Sequence, residues 1–247
     1  MDANAERLVS RLQKDPNDAH AYEELKAHYR DTDDLASLTN LVAGWAAYQT
    51  DAYKSSRGYY EAAQVVGKVS PGHSRRVELL RQAVARDVAF REPISELIDE
   101  LAQQGDDHAL AEFLDTHLRA MEDQQADRQV MAWLYARLAE LWGARFERAD
   151  VARRCYERAL ELDGSSAPIL RGARALAQST GDSPLLAQVL AAEARAESLP
   201  ERKLELLRAQ ARAWLNEPPD VTAAIGALQA AKALSPSDPD VLLELAN

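Results

Sequence analysis

The sequence predicts an all-α protein, a solenoid of antiparallel helical hairpins stacked side by side. Three observations carry this. Helical periodicity covers nearly the whole chain, and no run shows the strict alternation of a half-buried strand. Gly and Pro fall mostly where periodic segments end. One spacing also recurs: a large apolar residue, a small residue four on, a Val or Trp three beyond, then a polar turn and a second helix carrying small residues. Its clearest copy is Tyr135, Ala139, Trp142, Ala152, Tyr156 and Ala159, closed by Asp163-Gly164. It returns as Leu207, Ala211, Trp214, Ala224, Leu228 and Ala231, closed by Pro236, and earlier as Tyr59, Ala63, Val66, Arg76, Leu80 and Ala83. A fixed period of this kind means stacked hairpins, each burying the face its neighbour leaves open.

The elements follow in order. A helix over 2–13 carries Leu8, Val9 and Leu12 and stops at Asp15-Pro16-Asn17-Asp18, since Pro16 cannot continue a helix interior and Asp18 can cap the next helix. Helix 19–30 carries Tyr22, Leu25 and Tyr29; the turn Asp31–Asp34 caps helix 35–49, with Leu38, Leu41, Val42 and Trp45. Helix 56–69 ends at Ser70-Pro71-Gly72, and helix 74–88 carries Val77, Leu80 and Val84. Helix 93–104 opens on Pro93 and ends at Gly105; Asp106 and Asp107 start helix 107–121. Helices 127–144 and 148–162 form the best copy. Helix 166–179 ends at Gly181, Asp182 caps helix 183–198, and Pro200 starts helix 201–216. Pro218-Pro219-Asp220 precedes helix 221–234, and Pro236–Pro239 precedes a short segment, 240–246.

The short turns suit antiparallel neighbours, and no linker interrupts them, so one domain over 1–247 is expected. A second periodic mark supports the array. Asp34, Asp106 and Asp182 each precede a leucine by four residues (Leu38, Leu110, Leu186), with another apolar residue at seven (Leu41, Phe113, Val189). These lie in the alternate hairpins, so the apparent unit is a four-helix double repeat of about 72–76 residues.

Composition bounds the function. At 247 residues with 47% hydrophobic content, the chain can bury a full core. The net charge of −11, concentrated in residues 1–123, makes general nucleic-acid binding unfavourable, because neutralising phosphates needs a basic footprint. The single cysteine, Cys155, excludes an internal disulfide and lies where a small buried residue is expected. The start has neither a basic n-region nor an apolar h-region, and no stretch is long and apolar enough to span a membrane. A cytoplasmic protein is therefore expected.

The pattern Ala-x-x-x-Tyr-x-x-Ala-Leu-x-Leu-Asp, at Ala152, Tyr156, Ala159, Leu160, Leu162 and Asp163, resembles the second helix of the tetratricopeptide repeat (TPR) family. Gly164 replaces its usual closing proline, which Pro236 supplies after Ala231, Ala233 and Leu234; the first-helix pattern matches at Leu138, Ala139 and Trp142. One copy is weak, with Arg76 where a small residue is expected. The alternation of strong and degenerate hairpins is similar to that of large cytoplasmic TPR scaffolds of GC-rich bacteria. The resemblance implies a right-handed superhelix whose first helices line a concave groove that binds peptides or protein domains.

No catalytic constellation is present. Gly67-Lys68 lacks the rest of a Walker loop; there is no Gly-x-Ser-x-Gly elbow and no His-Glu-x-x-His. His20, His28, His73, His108 and His117 include no pair at i, i+4, and Asp106-Asp107 read as capping carboxylates. No cofactor and no metal are expected.

Projecting the first helices outward gives the candidate site. It includes Glu23, Ala27 and Arg30; Tyr60, Glu61 and Gln64; Ser95, Glu96 and Asp99; Trp133, Ala136, Arg137 and Glu140; then Arg171, Arg174, Arg208 and Arg212. The tentative contact residues are Trp133, Arg137, Glu140, Arg171, Arg174, Arg208, Arg212, Tyr60 and Glu61. Guanidinium groups fork onto carboxylates and phosphates, so the arginine ladder suits an acidic peptide, a C-terminal carboxylate or a phosphorylated segment, while ion pairing to neighbouring helices is the structural alternative. Tyr48, Tyr53, Tyr59 and Tyr60 form a second candidate contact surface. Segment 240–246 begins a new first helix, which suggests a longer array or a covered end. The expected function is a non-enzymatic scaffold or adaptor for a protein or peptide partner. The alternatives are a regulatory or substrate-recruiting module of a larger enzyme or signalling protein, and a self-assembling structural protein.

Overall fold

The computed structural model describes residues 3–69, 74–216 and 219–246; the expected turn at Ser70-Pro71-Gly72, His73 and Pro218 lie outside the described residues. Among the described residues the chain is all-α, with fourteen helices and no strand. It divides into two compact units, Met1–Leu110 and Ala111–Asn247.

In the first unit the helices are α1 (Ala3–Lys14), α2 (Ala19–Asp31), α3 (Leu35–Tyr48), α4 (Ala52–Val69), α5 (Ser74–Arg86) and α6 (Arg91–Gln103). Sequential helices pack on one another. Leu8, Leu25, Leu79, Leu80, Ile94, Leu97 and Ile98 form its fully buried interior. The fourth helix begins earlier than the expected residue 56. The Asp51 carboxylate accepts from the backbone N–H groups of Tyr53 (2.9 Å) and Lys54 (3.2 Å), so capping sets the start where the apolar pattern alone gives no signal. Ser55 and Ser56, both fully buried, donate to the Ala46 and Ala83 carbonyls at 2.8 Å and tie this first turn to α3 and α5.

The second unit holds most of α7 (Asp107–Asp123), then α8 (Arg128–Ala144), α9 (Ala149–Leu162), α10 (Ala167–Thr180), α11 (Ser183–Ala196), α12 (Pro200–Trp214), α13 (Val221–Leu234) and α14 (Pro239–Ala246). The repeat residues nest as small contacts. Ala139, Ala152, Ala159, Ala211, Ala224 and Ala231 are all buried, and so are Tyr156 and Leu228. Gly143 of α8 faces Ala152 of α9, where a Cβ would meet the Ala152 Cβ in ordinary van der Waals contact at 3.5 Å. Tyr135, Trp142 and Trp214 sit at the rim, half-buried rather than in the core; Trp142 leans on Phe146 with ring centroids 4.7 Å apart. Cys155 is buried, and desolvation pushes its thiol up to about 11, which suits a small packing residue.

The periodic aspartates have a common physical role. Asp34, Asp106 and Asp182 accept from the backbone N–H groups of Ser37 (3.0 Å), Ala109 (2.9 Å) and Leu185 (3.0 Å). Each follows a residue in the left-handed region: Asp33 (φ 53°), Gly105 (φ 72°) and Gly181 (φ 69°). The backbone N–H groups of Asp34 and Asp182 close the preceding helices onto the Tyr29 and Ala177 carbonyls, at 3.0 and 2.9 Å. Each junction thus ends one helix with a left-handed cap and starts the next with an aspartate cap.

Candidate protein-binding face

The first helices of the hairpins, α2, α4 and α6 in the first unit and α8, α10, α12 and α14 in the second, carry the expected contact residues. Their side chains reach from one first helix to the next. Lys26 and Arg30 of α2 both pair with Glu61 of α4, at 2.7 and 2.6 Å. Tyr60 donates its hydroxyl to Glu96 of α6 at 2.7 Å, and Gln64 donates to both oxygens of the same carboxylate at 2.9 and 2.7 Å. Burial and the adjacent Glu96 push the Tyr60 hydroxyl up to about 12.

Arg76 completes this cluster. It stands where the other copies have alanine, and the place opposite is Gly67, where a Cβ would come within 2.8 Å of the Arg76 Nε. Its guanidinium pairs with Glu96 at 2.6 Å and with Glu100, which is only 4% exposed. The Arg76 Nε and the Glu100 Oε2 are buried without a hydrogen-bond partner. A weak repeat position in the sequence is thus a buried charge cluster in the fold.

In the second unit Arg208 of α12 pairs with Glu244 (3.0 Å) and Asp240 (3.1 Å) of α14, and Arg212 pairs with the same Glu244 at 2.6 Å. The Arg208 hydrogen bond, followed by that of Arg212, holds the Glu244 carboxyl below the usual carboxylate range. Arg174 pairs with Glu193 of α11, and Arg137 pairs with Glu140 on its own helix at 2.9 Å. Most of the expected arginine ladder is therefore engaged within the fold, as are Glu61 and Tyr60.

Arg171 differs. It is exposed and makes no ion pair or hydrogen bond with another described residue. Its neighbour Gly172 replaces the acidic residue found at Glu96 and Glu244, and the Tyr156 hydroxyl fills the space, 2.3 Å from where a Gly172 Cβ would be. Burial, with the Glu140 charge second, pushes that hydroxyl up to about 12. On α8, Ala136 is buried and Trp133 is half-buried. The face offered by α8 and α10 is therefore Arg137, Glu140 and Arg171 beside small residues, without the interhelical clamp seen at Glu96 and Glu244. Glu96 lay on the projected face and Glu244 was not singled out; the role of both as acceptors depends on which donors the packing brings across.

Among the described residues no group of three His, Cys, Asp or Glu could hold a metal ion, and no helix is long and apolar enough to cross a membrane.

No family model matches the chain, and no curated protein matches it. Solved structures similar to it include the C-terminal part of a TPR repeat-containing protein from Cytophaga hutchinsonii, 14% identical over 98% of this chain and 93% of that one, with a TM-score of 0.44. Another is the pilF protein of Pseudomonas aeruginosa, 15% identical over 92% and 94% of the two chains, also with a TM-score of 0.44. A thermophilic TPR protein from Thermus thermophilus is 15% identical over 77% of this chain and 97% of that one, with a TM-score of 0.36.

Proposed function

We propose that this chain is a non-enzymatic scaffold that binds an acidic segment of a protein partner on the face formed by α8 and α10. The observation that carries the reading is Arg171, an exposed guanidinium without an acceptor among the described residues, set beside Gly172, the position at which the flanking copies hold a glutamate and close it with donors from the preceding first helix. A cation left open on an otherwise ion-paired face is available for a carboxylate from outside. Arg137, held by Glu140, acts with it on the Tyr156 hydroxyl that fills the space at Gly172, and so gives that carboxylate a polar neighbour. Rigid helices mean that the partner bears most of the ordering cost.

The test is peptide selection from a random display library against the full chain, followed by titration of the selected peptide into Arg171→Glu and Arg137→Glu variants. The expected result is an Asp/Glu-rich consensus whose affinity falls at least about tenfold in Arg171→Glu, the cost of one lost charge-assisted hydrogen bond. A consensus without acids, or equal binding by a folded Arg171→Glu chain, refutes the reading.

A further inference from the structure

We infer that Arg57, in the first unit, is a second and separate anchor for an acidic side chain of a protein partner. Its guanidinium lies over two aromatic rings, 4.7 Å from the centroid of Tyr53 and 4.1 Å from that of Phe90. Phe90 is itself buried and held edge-on by Tyr60 at 5.2 Å, so the platform under the guanidinium is fixed. Arg57 is nevertheless exposed, and its N–H groups meet no acceptor among the described residues. Stacking occupies the face of a guanidinium and leaves its edge, where the donors lie, directed outward. An arginine immobilised in this way has surrendered much of its side-chain freedom before any ligand arrives, and its planar fork fits a carboxylate or a phosphate.

The nearby acids do not answer it. Asp51 is spent on the backbone N–H groups of Tyr53 and Lys54, and Asp87 on that of Ala89. The Ser56 bond to the Ala83 carbonyl sets the first turn of α4 against the end of α5, where Arg86 is also exposed. Tyr53, at 58% exposure, offers apolar surface beside the cation. Such a surface suits a segment in which an acidic residue neighbours an apolar one. A nucleic-acid backbone fits it poorly, because the acidic excess of the chain is concentrated in residues 1–123, where this site lies.

The experiment follows the Arg57 side-chain Nε–Hε resonance of the full chain by NMR, assigned by its absence from the Arg57→Lys variant. The probes are an acetylated peptide of alternating Glu and Leu, the same peptide with phosphoserine for Glu, and an oligouridylate of equal length. The expected result is that a peptide moves the resonance, the tighter of the two naming the anion. Its affinity should fall about tenfold in Arg57→Lys, which keeps the charge and loses the planar fork. Tyr53→Leu, at an exposed ring, should weaken binding less, and Arg171→Glu should leave the Arg57 response intact, which separates this site from the α8–α10 face. A resonance that neither peptide moves, equal affinity in Arg57→Lys, or a response to the oligouridylate at lower concentration than to either peptide overturns the inference.

Discussion

Glu244 accepts from Arg208, 36 residues before it, at 3.0 Å, and Glu96 accepts from Tyr60 across the same separation of 36 residues at 2.7 Å. A second donor repeats the spacing in each case, 32 residues before the carboxylate: Arg212 for Glu244 and Gln64 for Glu96. The double repeat therefore conserves a packing geometry within the chain while exchanging its chemistry, and the middle copy discards the acid altogether in favour of Gly172 and the Tyr156 hydroxyl.

Glu244→Gln should loosen α14 by about 1 kcal/mol, since the ion pairs are partly exposed and screened. The sign of the pH effect follows from the depressed carboxyl. Its contribution is complete above the ordinary value of 4.5 and is lost as pH falls from there through the lower folded value. Amide exchange of residues 239–246 measured between pH 3 and pH 6 should show protection falling on acidification in the parent chain and a flatter profile in the variant.

Gly172→Ala should cost about 1–3 kcal/mol, the usual penalty for overpacking, because its Cβ would meet the Tyr156 hydroxyl and ring carbons at 2.3 to 3.0 Å. Adding Tyr156→Leu, the residue type found at Leu80 and Leu228, should recover part of that loss. Denaturant unfolding of the two single variants and the double variant measures the coupling.

Arg76→Ala should destabilise the first unit by about 3–5 kcal/mol, although alanine is the repeat residue, because it strands the Glu100 carboxylate in the interior. The triple change Arg76→Ala, Glu96→Gly, Glu100→Leu installs the set used by Ala152, Gly172 and Leu176 and should recover most of the stability. Thermal melts of the single and triple variants decide this; a triple variant no more stable than the single one would mean that the copies are not interchangeable.

Asp33→Gly should stabilise by about 1 kcal/mol, and Gly181→Ala should destabilise by a similar amount, because both positions are left-handed. Paired denaturation curves test the two signs together.

These contrasts also mark what the amino-acid pattern could reveal. The small residues Ala139, Ala152, Ala159, Ala211 and Ala231 recur on a helical period and are buried where expected, since close helix contact tolerates little else. The aspartate mark at residues 34, 106 and 182 was legible both as a period and as helix caps, and the fold adds the left-handed residue that precedes each. The fate of the long polar side chains was not legible. Arg208, Arg212 and Arg174 project from the expected first helices, yet acceptors on α14 and α11 engage them. A guanidinium reaches several partners from one backbone position, so the helical period does not choose among them. Arg57 escaped notice for the same reason: Phe90 beneath it comes from a turn between two other helices.

Hydrogen exchange of the full chain with and without the selected acidic peptide tests the proposed face most directly. Protection should rise along α8 and α10, around Arg137 and Arg171, and vanish in Arg171→Glu. Protection confined to other helices, or unchanged in that variant, would contradict it.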